Sequence, residues 1–286
     1  MANNRLLPTV PEEIEVNEIP LYLDKKDILN VRQTSKMMNK LFQPASEVAK
    51  LLHFVQEADY DAAKKIVEAN PELMFKYVSY KKTDDTYETI SPLKFAFKVL
   101  DAYMWKMCYE KIKNTPLLKH FIQQLDEQRD HINLNPLYAE YIKYDDLAKF
   151  HRRYSQGSFV FDYRKLIDNG WFNVGKIQRN VLPLHMLKEF LHSGNSWNNQ
   201  SKFDDEINRD EFGPFDGYST LGADFALVRG KSGAVICKSP NINDDQNAAL
   251  DCEIFRHLCE VRKNDLDKLR SELGLMLEKS NKMELK

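Results

Sequence analysis

Apolar residues recur at three- and four-residue spacing through most of this 286-residue chain, and strand-like alternation is confined to a few short stretches. That spacing lines apolar side chains along one face of a helix, so the sequence predicts a mainly α protein assembled from amphipathic helices. An apolar fraction of 43% supports a buried core, and the chain is long enough for two or three modest domains. No apolar run reaches the roughly 18 residues of a membrane span, and Met1 to Pro8 lacks the apolar stretch of a secretory signal. Lys plus Arg (41) nearly balance Asp plus Glu (43), for a net charge of −2. This balance gives no electrostatic reason to expect nucleic acid or an anionic membrane as partner. Cys108, Cys237, Cys252 and Cys259 are unevenly spaced and do not form a disulfide framework, which points to a reducing compartment.

Three segments follow: residues 5–45, 46–115 and 116–286. In the first, Asp24 stands at an N-cap ahead of Asp27, Ile28, Leu29 and Val31. Ser35 caps a further short helix carrying Met38, Leu41 and Phe42, and Pro44 ends it. Three such helices bury little surface and need a neighbour or a partner. In the second segment, Val48, Leu51, Leu52 and Val55 mark one helix; Ala62, Ala63, Ile66 and Val67 mark the next, which stops before Asn70-Pro71. Lys76 to Thr89 reads as a hairpin turning at Thr83-Asp84-Asp85, and helix resumes at Ser91-Pro92 with Phe95, Val99 and Met104. The third segment has helical patterns at Leu117–Leu125, Pro136–Phe150 and Leu182–Phe190, separated by loops. Asp224 to Lys238 alternates around Gly230–Gly233 as a small β-hairpin. Two amphipathic helices close the chain, one with Leu250, Ile254, Leu258 and Val261, the other with Leu266, Leu269, Leu273 and Met276.

Leu23-Asp24-Lys25-Lys26-Asp27-Ile28-Leu29-Asn30-Val31-Arg32-Gln33-Thr34-Ser35-Lys36, with Asn39 and Leu41 after it, resembles the central stretch of an F-box. Val10-Pro11-Glu12-Glu13-Ile14 and Ile19 to Tyr22 resemble its Pro-containing opening and first helix. The resemblance implies a three-helix module that docks a Skp-family adaptor and, through it, a cullin–RING ubiquitin ligase. Carried over, the adaptor contacts are Leu7, Pro8, Pro11, Ile14, Ile19, Leu23, Leu29, Val31 and Leu41. An apolar patch on so small a bundle calls for a covering partner in any case. Two departures fall in the first helix. The gap ahead of Ile19 is one residue longer than the pattern, and Pro20 stands inside the helix, where it costs about 3 kcal/mol.

Ser91-Pro92-Leu93-Lys94-Phe95-Ala96 resembles the Thr-Pro-Leu-His-x-Ala opening of an ankyrin repeat, and Leu51 to Ala69 resembles the helix pair of a preceding one. In the third segment, Trp171, Val174-Gly175, Gln178-Arg179, Leu182-Pro183-Leu184-His185, Glu189-Phe190 and Leu221 to Gly230 resemble a domain found beside F-box and ankyrin units in effectors of Legionella-type intracellular bacteria. These resemblances imply a bacterial protein that works in the cytoplasm of a host cell, where Skp and cullin are present, and that presents an unknown target protein for ubiquitination.

Catalytic signals are thin. Cys252 and Cys259 share a helix face while His257 points elsewhere, and a fourth zinc ligand is missing, so neither a metal nor any other cofactor is implied. Cys237 or Cys252 with His185 or His192 lacks the local signature of a cysteine hydrolase, and Gly213 to Gly222 has no phosphate-binding pattern. Tyr218-Ser219-Thr220 faintly resembles a mono-ADP-ribosyltransferase motif, without that family's paired glutamates. Trp171, Gln178, Arg179 and His185 make the one suggestive polar group: they line a substrate groove or form a buried network. Two readings therefore stand. One is a substrate-recruiting adaptor without catalysis of its own; the other is a C-terminal enzyme, a transferase or cysteine hydrolase, that the F-box localises.

Overall fold

A computed structural model describes residues 23, 25–82, 85–154, 160–191, 228–229, 235–236 and 246–284. The protein is mainly helical, with two small antiparallel hairpins among the described residues. It divides into two compact units. One gathers the described residues up to His131 with those from Leu266 onward; the other runs from Ile132 to Asp265. None of the helices in the described residues is long and apolar enough to cross a membrane.

The first unit begins with α1 (Lys25–Thr34) and α2 (Lys36–Gln56). Ser35 is extended and accepts the Met38 amide at 3.1 Å, satisfying one orphan donor of the first turn of α2. Arg32 then ties the two helices together: Nε donates to Asn39 Oδ1 (2.8 Å) and Nη1 to Ser46 Oγ (2.5 Å). Ile28 and Phe42 are buried in the angle between them. Here the structure corrects the sequence reading, because α2 does not end at Pro44. The proline is exposed, so water can satisfy the carbonyl whose amide partner it lacks. Phe42, Val48, Leu51, Leu52 and Val55 bury one uninterrupted stripe across it. The helix of the first segment and the first helix of the second are therefore one rod.

Behind α2 come α3 (Tyr60–Ala69), a 3₁₀ turn (Pro71–Phe75), β1 (Val78–Lys81), β2 (Tyr87–Ile90), α4 (Pro92–Lys98), α5 (Ala102–Ile112) and α6 (Leu118–Glu127). The α2–α3 and α4–α5 pairs are joined by turns bonded alike. In the first, the Glu57, Ala58 and Asp59 amides donate to the His53, Val55 and Phe54 carbonyls. In the second, Val99, Leu100 and Asp101 donate to Phe95, Phe97 and Ala96. Ala58 (φ 48°) and Leu100 (φ 62°) take the left-handed conformation that ends each leading helix, a strained choice for residues with a Cβ. Both are buried, so packing holds them there. Asp59 and Asp101 next cap the second helices through the Ala62 and Met104 amides, each at 3.0 Å. The pairs stack, α2 on α4 and α3 on α5. Tyr60 links them, donating its hydroxyl to Asp101 Oδ1 (3.1 Å) and stacking its ring on Tyr103 at 4.8 Å.

The expected hairpin pairs Val78 to Lys81 with Ile90 to Tyr87 and leads straight into Ser91. Ser91 caps α4 through the Lys94 amide. It also donates to Gln124 Oε1 (2.7 Å), while Gln124 Nε2 donates to the Phe75 carbonyl (3.0 Å). Thus one buried amide on α6 binds both ends of the hairpin segment. Around it, Phe97 meets Phe121 edge to face at 5.3 Å, with Leu93 and Trp105 completing the core.

The second unit holds α7 (Asn135–Tyr154), α8 (Val160–Val181), α9 (Leu184–Leu191) and a hairpin of β3 (Val228–Arg229) with β4 (Val235–Ile236). Helix α8 occupies a stretch expected to be loop. Its interior glycines argue against helix by propensity, but Gly170 lets α8 close on α7. A Cβ there would lie 3.3 Å from Tyr144 Cδ2 and 3.4 Å from Leu147 Cδ1. The pattern at Leu182–Phe190 starts later as α9, past Pro183. The two expected terminal helices are a single helix, α10 (Gln246–Glu284). Its buried stripe runs through Phe255, Leu258, Arg262, Leu266 and Leu273, and the charge at Arg262 is what breaks the apolar pattern. At its far end Arg270 donates to the Leu125 and Gln128 carbonyls (3.3 and 2.6 Å), closing the C-terminal end of α6.

Asp101→Ala removes a cap and the Tyr60 bond together and is expected to lower unfolding stability by about 2 kcal/mol, read by denaturant titration. Pro44→Ala restores one backbone donor at an exposed site and is expected to raise stability by about 1–3 kcal/mol in the same assay.

Candidate functional site

Of the residues expected to contact an adaptor, Leu7, Pro8, Pro11, Ile14 and Ile19 lie outside the described residues. Leu23 is half-buried at a bend just ahead of α1, and Val31 is half-buried on α1. Leu29 is 42% exposed, beside the exposed Asn30. Leu41 lies in α2, its side chain outside the described set. The apolar residues of α1 thus divide their work. Ile28 anchors the helix to α2, while Leu29 stands on the surface, where a bare leucine gains most from a partner.

A cavity of about 550 Å³ opens between α1, α2 and β1. From α1 it takes Lys26, Leu29, Asn30 and Gln33; from α2, Ala49, Leu52, His53 and Gln56; from β1, Ser79 to Lys81. Leu52 and Ala49 are buried beneath it. Ser79 Oγ is paired with Thr89 Oγ1 at 2.7 Å, and Lys81 reaches Asp85 at 2.7 Å with both side chains largely exposed. Nothing in local sequence spacing marks this groove, because β1 arrives from a distant part of the chain.

In the second unit, Trp171, Gln178 and His185 are all buried, at 1%, 2% and 6% exposure. The Arg179 side chain lies outside the described set. Gln178 Nε2 donates to Tyr141 Oη at 2.7 Å. Trp171 packs at 4.7 Å from the Tyr144 ring and 6.3 Å from Tyr141, whose ring also faces Phe255 at 6.5 Å. Asp251 on α10 is fully buried close by. Burial above all, then the Asp251 charge, pushes the Tyr141 hydroxyl well above its usual range. Arg262 makes an ion pair with Glu189 (2.5 Å) and a longer one with Asp265 (3.4 Å), clamping α10 to α9. Trp171 and Gln178 are thus buried against Tyr141.

The thiols fit the same picture. Burial raises the pKa of Cys108, Cys252 and Cys259, which keeps them protonated and poor nucleophiles. Cys259 is hydrogen-bonded to Tyr138, itself pushed up by burial and lying 4.9 Å under Arg256. His257 is exposed on another face of α10, and among the described residues no group of three or more His, Cys, Asp or Glu side chains is arranged to hold a metal. Cys237 and His192 lie outside the described side chains.

A family model described as "CBUA0006 C-terminal domain" matches residues 146–273, somewhat less than half of the chain. The match takes in most of the second unit, including Trp171, Gln178, His185 and the β3–β4 hairpin. No curated protein and no solved structure matches the chain.

Two outcomes follow. Gln178→Leu strands the buried Tyr141 hydroxyl and is expected to cost about 1–3 kcal/mol, whereas Tyr141→Phe with Gln178→Leu recovers part of the loss, read as a double-mutant cycle. Because the folded state holds the Tyr141 proton more tightly than the unfolded chain, the unfolded chain binds fewer protons in alkali. Stability is therefore retained below the ordinary tyrosine pKa of about 10 and falls as pH rises through it. Tyr141→Phe flattens that decline in melts run across alkaline pH.

Proposed function

We propose that this protein is a substrate-recruiting adaptor of a Skp–cullin–F-box ubiquitin ligase. The observation that carries the reading is the state of α1. The helix is pinned to α2 by Arg32 and by buried Ile28, yet it leaves Leu29 42% exposed within the stretch that resembles an F-box. A surface leucine on a fixed helix suits an apolar groove on a Skp-type partner, since preorganisation lowers the entropy lost on docking. The stacked helix pairs behind α2 resemble ankyrin units and, with the second unit, would hold the delivered protein. By the resemblances of the sequence, the protein is a bacterial effector acting in the host cytoplasm. The alternative, a catalytic C-terminal domain, gains no support from Trp171, Gln178 and His185, which are buried.

Affinity capture from eukaryotic lysate, using the full chain as bait, is expected to bring down a Skp-family adaptor together with cullin. Leu29→Asp leaves the buried contacts of α1 intact and is expected to weaken capture about tenfold or more, with the circular dichroism melt unchanged. Capture of neither partner by the wild-type chain sinks the proposal.

A further inference from the structure

We propose that the end of α10, from Leu266 onward, is a clasp on the first unit, with Arg270 as its latch: it closes the C-terminal end of α6 and opens as a separate step. Helix α6 stops at Glu127 without a closing turn of its own. Its cap residue Gln128 is extended (φ −87°, ψ 94°), so the left-handed turn that commonly covers the last carbonyls of a helix is missing. The Gln128 amide returns to the Gln124 carbonyl, and Arg270 Nη2 donates to the carbonyls of Leu125 and Gln128 at 3.3 and 2.6 Å. A cation is favoured at that end of a helix. Two features make the latch one that releases. Arg270 Nε is buried with no hydrogen-bond partner among the described residues, and a buried donor left unmade weakens the closed state. The helix beyond it has little to hold it: Leu273 is buried, but a Cβ on Gly274 would meet nothing within 4 Å, and Leu275 is 58% exposed. Upstream, the same helix is fixed by buried Phe255 and Leu258 and by the Arg262–Glu189 pair. A segment so lightly held opens at lower free energy than the packed helix that leads into it. The Asp267 carboxylate, 2.8 Å from Arg270 Nη1, is 68% exposed and contributes little to the latch.

The inference does not rest on the adaptor reading, and its test needs no partner. Amide hydrogen exchange is followed on the full chain. In the wild-type protein, residues 266–275 and the last turn of α6 are expected to exchange together, ahead of α4, α5 and residues 250–262 of α10. Arg270→Ala is expected to speed exchange in residues 121–128 and 266–275 at least about tenfold, leaving residues 250–262 as before. Arg270→Lys falls between the two, because an ammonium lacks the planar fork that spans two carbonyls. Asp267→Asn changes neither segment. Circular dichroism checks that each variant keeps its helix content. Equal protection of residues 266–275 and 250–262 in the wild type overturns the proposal without any variant. So does wild-type exchange of residues 121–128 in Arg270→Ala, or an equal effect from Asp267→Asn.

Discussion

Continuity of α2 through Pro44 is the constraint on which the first unit depends. Proline removes one backbone donor and crowds the preceding turn, so a helix continues through it only when the surrounding contacts outweigh a penalty of about 3 kcal/mol. Here they lie on both sides of it. Ahead of the proline, Ser35 starts the helix and Phe42 is buried against α1. After it, Val48, Leu51, Leu52 and Val55 form the floor on which α4 and the hairpin rest. Arg32 spans the site, holding Asn39 on one side and Ser46 on the other. Helix α1 and the stacked helix pairs are thus joined by a rod, which fixes α1 relative to the stack behind it.

That stack repeats a physical device as well as a pattern. Each pair turns on a buried residue in the left-handed conformation followed by a capping aspartate, Ala58-Asp59 and Leu100-Asp101. A glycine would take that conformation without strain. Alanine and leucine take it because the buried methyl or isobutyl group gains more from packing than the backbone loses. Tyr60 then couples one turn to the next through Asp101, so neighbouring pairs support each other as stacked repeats must.

The legible parts of the sequence were those with local chemistry. Ser91-Pro92 marks the start of α4, Asn70-Pro71 the end of α3, and the alternation from Lys76 to Thr89 the hairpin, since caps and strand patterns are set by residues a few positions apart; the turn expected at Thr83-Asp84 lies outside the described residues. The errors came where long-range packing overrode a local signal. Pro44 reads as a helix end and is tolerated on an exposed face, and the two terminal helices expected from the apolar pattern are one, with Arg262 in its buried stripe paired to Glu189. The stretch of α8 reads as loop, and there Gly170 instead admits the Tyr144 and Leu147 side chains of α7. Trp171 and Gln178 meet Tyr141 from a distant helix, and Tyr141 in turn faces Phe255, a placement that no local spacing signals. The α1–α2–β1 groove left no trace in the spacing for the same reason.

The proposed docking of α1 makes a specific demand on hydrogen exchange. Purified Skp-type adaptor added to the full chain should slow amide exchange across α1 and the first turns of α2, while the amides of α7 to α9 exchange as before. Exchange in residues 25–56 that is unchanged at saturating adaptor would contradict the account.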